Sequence, residues 1–309
     1  MKKLYFHIGF HKTGSTAIQE WLIGHAEQLK CEGVLYPSSG IPTGKPYHRQ
    51  LYDDIRNQKD DSGLWGRLYE EISANSCPSV LLSDEAWSAP WIEDNDISAL
   101  KEKLDSFEVT ILVVLRNPTD YFISRYRHAI YMRSKDSGMS FKRFVRDRVS
   151  GENEMLKQLN TWGEFFGKNN IRVLIYDSVK KNGLLGSQFL SMLGVDLPNV
   201  QLAKANVSRS DEILKALRML MRIQTSLSRA LSKSGVAEKL FVRLRNAVSG
   251  QESRCRLLFR RILNFVDHSD LVPSSEIEHL QELVADWPLQ LADDGWLTDE
   301  QARQLAKEI

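Results

Sequence analysis

Residues 109–115, VTILVVL, constrain what this chain can fold into more than any other stretch. The seven positions are mostly β-branched and neither face is left polar, which reads as a central strand of a parallel sheet, buried on both sides. Residues 4–8, 78–83 and 171–176 carry further strand patterns. Helical spacing fills the stretches near 119–132, 141–148, 156–166 and 184–193, the last closed by Gly194. Strands alternating with helices imply βαβ crossovers, hence an α/β fold whose parallel sheet is flanked by helices. Residues 33–37 add a short extended piece, and 48–57 and 64–73 are polar helical stretches. Beyond Ser210 no strand pattern recurs: Ile213, Leu214, Leu217, Leu220 and Met221 line one helix face, and further helices follow.

The first strand runs into His7-Ile8-Gly9-Phe10-His11-Lys12-Thr13-Gly14-Ser15-Thr16-Ala17-Ile18-Gln19, after which Trp21, Leu22, His25 and Leu29 continue a helical spacing. Strand, glycine-bounded loop and helix together make an anion cradle. The glycines let the backbone wrap the anion, and the helix start directs N–H groups and its positive dipole end at it. Gly9 and Gly14 keep the G-x-x-x-x-G separation of a P-loop and Thr16 takes its hydroxyl position, but Ser15 stands where the lysine should follow the second glycine. The lysine of this loop is Lys12, moved back into the turn. A P-loop lysine serves β- and γ-phosphates beside Mg²⁺. The shift therefore points to another donor, with its leaving group nearer the loop and no metal expected. An ordinary glycine turn entering a helix is the plain alternative.

Directly after 109–115 comes Arg116-Asn117-Pro118-Thr119-Asp120-Tyr121-Phe122-Ile123-Ser124-Arg125-Tyr126. Ligands of open α/β sheets bind beyond the carboxyl ends of the strands, which is where Arg116 falls. Pro118 suits the first turn of a helix, where its missing N–H costs little. Ser124 follows a turn or two later, so its hydroxyl and the Arg116 guanidinium could close on one anion.

Lys12-Thr13-Gly14-Ser15-Thr16-Ala17-Ile18-Gln19 resembles the 5′-phosphosulfate-binding loop of sulfotransferases that use 3′-phosphoadenosine 5′-phosphosulfate (PAPS), and looks closest to bacterial, carbohydrate-type members. Arg116, Pro118, Asp120, Ser124 and Tyr126 match that family's 3′-phosphate motif. Asn206-Val207-Ser208-Arg209-Ser210 resembles its late N-x-S segment, with helix capping by Ser208 or Ser210 as the alternative. The resemblance spans roughly residues 3–222. It implies a P-loop NTPase-like sulfotransferase fold, with a PAPS-binding domain over 1–222 and an all-helical extension over 223–309 packed on it. It also implies PAPS as co-substrate, held by the amides of Thr13, Gly14, Ser15 and Thr16 at the 5′-phosphate and by Arg116 and Ser124 at the 3′-phosphate. Lys12 would then stabilise the leaving oxygen. The family uses Glu or His as base, and two candidates stand out. Glu85 follows the second core strand in Ser83-Asp84-Glu85, where Ser83 can cap the next turn, and His48 lies in Pro46-Tyr47-His48. Asp84 stands behind them; dipole pairing for Glu85 and a surface loop for His48 are the plain alternatives.

Lys and Arg (41) nearly balance Asp and Glu (40), so no global field advertises nucleic acid. Cys31, Cys77 and Cys255 are scattered, against a disulfide framework or a zinc cluster and for a reducing compartment. With no signal-peptide core and no long apolar run, the expectation is a soluble, cytoplasmic protein. Charge is segregated late: residues 204–261 hold 14 Lys/Arg against 4 Asp/Glu, and 262–309 hold 2 against 11. Either the acidic helices pack back across the basic ones, or a basic face meets an anionic polymer or membrane surface. Trp65, Tyr69, Trp87 and Trp91, with Arg125, Arg127, Tyr131 and Arg133, suit a sugar bearing acid groups and suit core packing equally well. The resemblance points to a glycan or glycolipid hydroxyl as acceptor. Two rivals remain: a P-loop kinase using ATP and Mg²⁺, which lacks its lysine here, and a non-catalytic nucleotide-binding protein.

Overall fold

The computed structural model describes residues 1–10, 12–57, 63–89, 91–132, 134, 136–149, 152–197, 200–203, 211–230 and 270–306. His11, Arg133, the segment 206–210 and most of the basic stretch 204–261 lie outside the described residues.

Five parallel strands, β1 (Lys3–His7), β2 (Val34–Leu35), β3 (Ser79–Ser83), β4 (Glu108–Leu115) and β5 (Ile171–Ile175), form one sheet in the order β2-β3-β1-β4-β5. The apolar run becomes β4, and Ile111, Leu112, Val113, Val114 and Leu115 are wholly buried. The strand expected over 171–176 ends at Ile175, because Tyr176 opens the next helix. The chain leaves β1 toward β2 and β3 on one side and reaches β4 and β5 on the other. The carboxyl ends of β1 and β4 therefore flank the crevice where such sheets bind ligands.

The helices, in chain order, are α1 (Ser15–Gly24), α2 (Ala26–Cys31), α3 (Arg49–Arg56), α4 (Leu64–Ser73), α5 (Asp94–Lys103), α6 (Pro118–Tyr131), α7 (Phe141–Arg148), α8 (Glu154–Phe166), α9 (Tyr176–Lys180), α10 (Leu185–Ser191), α11 (Asp211–Ala230), α12 (Ser274–Val284), α13 (Trp287–Asp293) and α14 (Asp299–Ala306). Pro118 opens α6, as its fixed φ predicts. No helix among the described residues is long and apolar enough to cross a membrane.

The chain divides into two compact units. The first comprises Met1–Pro118, Glu152–Ala205 and Ala285–Ile309 and contains the whole sheet. Alternation along β1 sends its side chains to opposite faces. Tyr5 joins Leu81, Leu112 and Val114 against Ile18 and Leu22 of α1 and Leu185, Phe189 and Leu190 of α10. Phe6, on the other face, meets the rings of Trp87 and Trp162. The terminal helices belong to this unit: Asn117 Nδ2 donates to the Leu305 carbonyl of α14 (2.9 Å), and Asn153 Nδ2 to the Trp287 carbonyl of α13 (3.1 Å).

The second unit comprises Thr119–Gly151 and Asn206–Val284. Its core gathers Tyr126, Phe141 and Phe144. Tyr126, one of the motif residues, is wholly buried here. Its hydroxyl donates to the Met139 carbonyl (2.9 Å) and accepts from Arg218 (3.1 Å). Ser124 lies half-buried on α6 two residues earlier.

Candidate active site

The site grows from the carboxyl ends of β1, β3 and β4. The register pairs His7 with Ser83 on β3, and His7 Nδ1 lies 2.8 Å from Ser83 Oγ. Gln19 of α1 donates to the same oxygen (3.0 Å), tying the loop's helix to β3. From His7 the chain enters the loop. Gly14 takes a left-handed conformation (φ +83°) just before α1, and a Cβ there would fall 2.7 Å from Leu185 Cδ2. The backbone conformation favours glycine, and a Cβ would also displace the Leu185 side chain. The Thr13 hydroxyl donates back to the Phe10 carbonyl (2.5 Å), closing the turn on itself.

Lys12 is the one non-glycine residue with positive φ (+71°) among the described residues. A left-handed lysine costs about 1–2 kcal/mol, so the turn holds it there against local preference. Burial pushes its ammonium below the usual lysine range; nearby Glu85 opposes this and Arg116 adds to it. Lys12, Glu85 and Arg116, distant in sequence, thus share one electrostatic neighbourhood. Arg116, just past β4, donates from Nη1 to the Lys12 carbonyl (3.3 Å) and stacks over Tyr176 at 5.4 Å. Its Nε lies 3.7 Å from Asp177, whose carboxylate accepts the Asn117 N–H (2.6 Å). The guanidinium therefore braces the loop from the carboxyl end of β4.

Glu85 is half-buried and opens a 3-10 turn, Glu85–Ser88. The cap of that turn differs from the sequence expectation. Asp84 caps it, accepting the Ala86 N–H (3.1 Å), because the Ser83 hydroxyl is already engaged with His7 and Gln19. Asp84 is buried and held by Arg49 in a two-pronged pair, 2.8 Å to Nε and 3.0 Å to Nη2. Burial raises its pKa despite that pairing.

His48 is not in a surface loop. Its ring is 1% exposed, and both nitrogens are committed to backbone. Nδ1 accepts the Ser83 N–H (3.1 Å) and Nε2 donates to the Pro37 carbonyl (2.9 Å), while the His48 N–H donates to the Ser83 carbonyl (2.9 Å). Burial lowers its pKa to about 4, so the ring is neutral near pH 7. Of the four aromatics between the motifs, Trp65 and Trp87 are core and Tyr69 donates to the Lys103 carbonyl (2.7 Å). Trp91 alone presents its ring, 58% exposed, with the indole N–H fixed on the Tyr52 hydroxyl (3.0 Å). Arg127 pairs with Asp211 (3.1 Å), and Arg125 lies over Tyr121 and Phe122.

A profile described as the Sulfotransferase domain matches residues 5–239. The chain belongs to the sulfotransferase family. It is accordingly an enzyme of sulfuryl transfer, built on a five-stranded parallel sheet flanked by helices. Two solved structures resemble this sulfotransferase at a distance. The sulfotransferase of Alicyclobacillus acidocaldarius is 16% identical, covering 77% of this chain and 98% of its own, with a TM-score of 0.41. Mouse sulfotransferase SULT7A1, solved in complex with PAP, is 15% identical, covering 100% and 90%, with a TM-score of 0.40. Likeness at this level carries no residue-by-residue correspondence. No curated protein sequence matches the chain significantly.

Three members of this sulfotransferase's site lay outside the sequence expectations: His7, Gln19 and Arg49. His7 and Gln19 stand inside the motif itself, and strand alternation puts His7 on the α1 side of the sheet. Arg49 had only its place beside His48 to recommend it.

Proposed function

We propose that this sulfotransferase moves the sulfuryl group of PAPS to a hydroxyl of a glycan or glycolipid, with Glu85 as general base and without a metal. The electrostatic coupling of Lys12 to Glu85 and Arg116, with Arg116 bonded to the Lys12 carbonyl, carries the proposal. The residues present fit the donor. The turn is shaped by Gly14 and closed by Thr13, and the start of α1 offers the amides of Gly14, Ser15 and Thr16 to a 5′-phosphate. Arg116 would take the 3′-phosphate, and the sequence motif it opens adds Ser124 for the same group. PAPS supplies a sulfur bonded to a phosphate leaving group.

Sulfuryl transfer forms the bond from acceptor oxygen to sulfur as the bond from sulfur to phosphate oxygen breaks. Lys12 donates to that departing oxygen as its charge grows, which is where a preorganised cation counts most. Glu85 takes the proton of the acceptor hydroxyl. His48 has no nitrogen to spare for this and serves instead as a strut on both backbone groups of Ser83. The exposed Trp91 ring, next in chain after the Glu85 turn, supports a sugar acceptor. Unpaired Cys31 and Cys77 support a cytoplasmic setting.

A screen with ³⁵S-labelled PAPS against glycans, phenols and amines, with and without excess EDTA, tests the proposal. Label should enter a carbohydrate and survive chelation. Label in phenols or amines alone would refute the acceptor class. Turnover of ATP that EDTA abolishes and Mg²⁺ restores would replace sulfuryl by phosphoryl transfer.

A further inference from the structure

A buried polar atom lies at the end of β1, just before the loop. His7 is 0% exposed, its ring lies edge-on to Phe189 with centroids 4.9 Å apart, and Nδ1 is engaged with Ser83. Nε2 has no hydrogen-bond partner among the described residues. Buried polar atoms in native folds are almost always satisfied, so one that is not points to a missing partner.

Its direction is given by Gly9, whose φ is +49°. A Cβ at that position would fall 3.2 Å from His7 Nε2 and 2.7 Å from Ser15 Oγ. Two polar atoms thus lie against the same side of Gly9, at the start of the turn, where a side chain would strike the Ser15 hydroxyl. Ser15 holds the position from which a P-loop lysine reaches its phosphates. Where a P-loop places a cation, this chain places a hydroxyl with an imidazole beneath it.

A neutral imidazole carries one proton, and the partner of Nδ1 decides where. Ser83 Oγ accepts from Gln19, and its own proton can go to His7 Nδ1 or to the Tyr36 hydroxyl, whose proton is spent on the Pro46 carbonyl. Donation to Nδ1 makes Nε2–H a donor facing the turn, the polarity that a cradle of N–H groups requires. Donation to Tyr36 would aim a lone pair at the anion.

We propose that His7 Nε2–H, together with the Ser15 hydroxyl, forms the floor of the oxyanion site and donates to an oxygen of the phosphate or sulfate ester seated in the loop. This rests on the reading above that the loop holds the donor's 5′-phosphosulfate. Burial holds the His7 pKa at about 4, so at neutral pH it contributes a hydrogen bond and no charge. The positive charge at the leaving oxygen is then left to Lys12.

The test uses the full chain labelled with ¹⁵N, observed through its imidazole resonances at pH 7. The free protein should show His7 as the Nε2–H tautomer, and adenosine 3′,5′-bisphosphate should shift that proton, with inorganic sulfate giving a smaller change at the same resonance. His7→Phe keeps a ring against Phe189 and should weaken bisphosphate binding by roughly tenfold to a hundredfold, as loss of a hydrogen bond to a charged group does. Ser83→Ala, which removes the partner of Nδ1 and of the Gln19 amide but leaves Nε2 in place, should cost less. An Nδ1–H tautomer, an unmoved Nε2 signal on binding, or a folded His7→Phe protein with parental affinity would each overturn the inference. If His7→Phe does not fold, the resonances of the parent decide. If the parent binds neither bisphosphate nor sulfate, the donor assignment fails first and takes this inference with it.

Discussion

Replacing His48 by asparagine should flatten the loss of stability in mild acid. In the folded protein burial keeps the His48 pKa at about 4, against 6.5 in an unfolded chain. Below pH 6.5 the unfolded chain therefore binds a proton that the folded one refuses, so stability is fully present above 6.5 and is lost as pH falls toward 4. From pH 7 to 5 the loss is about 2 kcal/mol, rising to about 3 kcal/mol below pH 4. Asparagine removes the titration while its Oδ1 can still accept the Ser83 N–H. At pH 7 the variant should be less stable by about 1–2 kcal/mol, because the bond to Pro37 and the edge contact with Tyr36 are lost. By pH 5 the two proteins should be nearly equal. His7, also held at about 4, and Asp84, whose raised pKa acts in the opposite sense, are common to both and cancel in the difference. Urea unfolding followed by tryptophan fluorescence at pH 7, 6 and 5 measures it. Parallel stability curves would refute the argument, and a catalytically dead but folded variant would return His48 to the role of base.

Lys12→Ala should lower turnover by about two to three orders of magnitude while weakening bisphosphate affinity much less; Lys12→Gly should be as inactive but about 1 kcal/mol more stable than the alanine variant, since φ is +71°. Glu85→Gln should cost roughly two to four orders of magnitude in turnover, measured in EDTA. Arg116→Ala should raise the KM for PAPS strongly, and Ser124→Ala mildly; an effect confined to kcat would move Arg116 from binding to catalysis. Arg49→Leu strands the Asp84 carboxylate in the core and should destabilise by about 3 kcal/mol, with Asp84→Asn in the same chain recovering part of it on chemical denaturation.

The elements that define the family were legible in the chain because their signals are local. Residues 109–115 cannot satisfy their apolar side chains anywhere but inside a covered sheet. Gly9 and Gly14 mark a turn by what their backbones permit, and Pro118 marks the start of α6 by its fixed φ. α5 went unseen for a related reason: its sequence, DNDISALKEK, buries little beyond Ile97 and Leu100 and rests instead on a capping box between Glu93 and Asp96. What only the tertiary structure decided is the fate of polar groups. Whether a histidine is a base or a strut depends on which backbone groups meet it, and for His48 those are Pro37 and Ser83, 11 and 35 residues away. Asp84 and Glu85 are neighbours in sequence, yet one is locked to Arg49 in the core and the other lies within the electrostatic reach of Lys12. Trp87 and Trp91 read alike in the chain, and only packing makes one core and leaves the other's ring open. Periodicity and turn chemistry act over a few residues, whereas burial and hydrogen-bond satisfaction depend on partners that only the strand order β3-β1-β4 brings together.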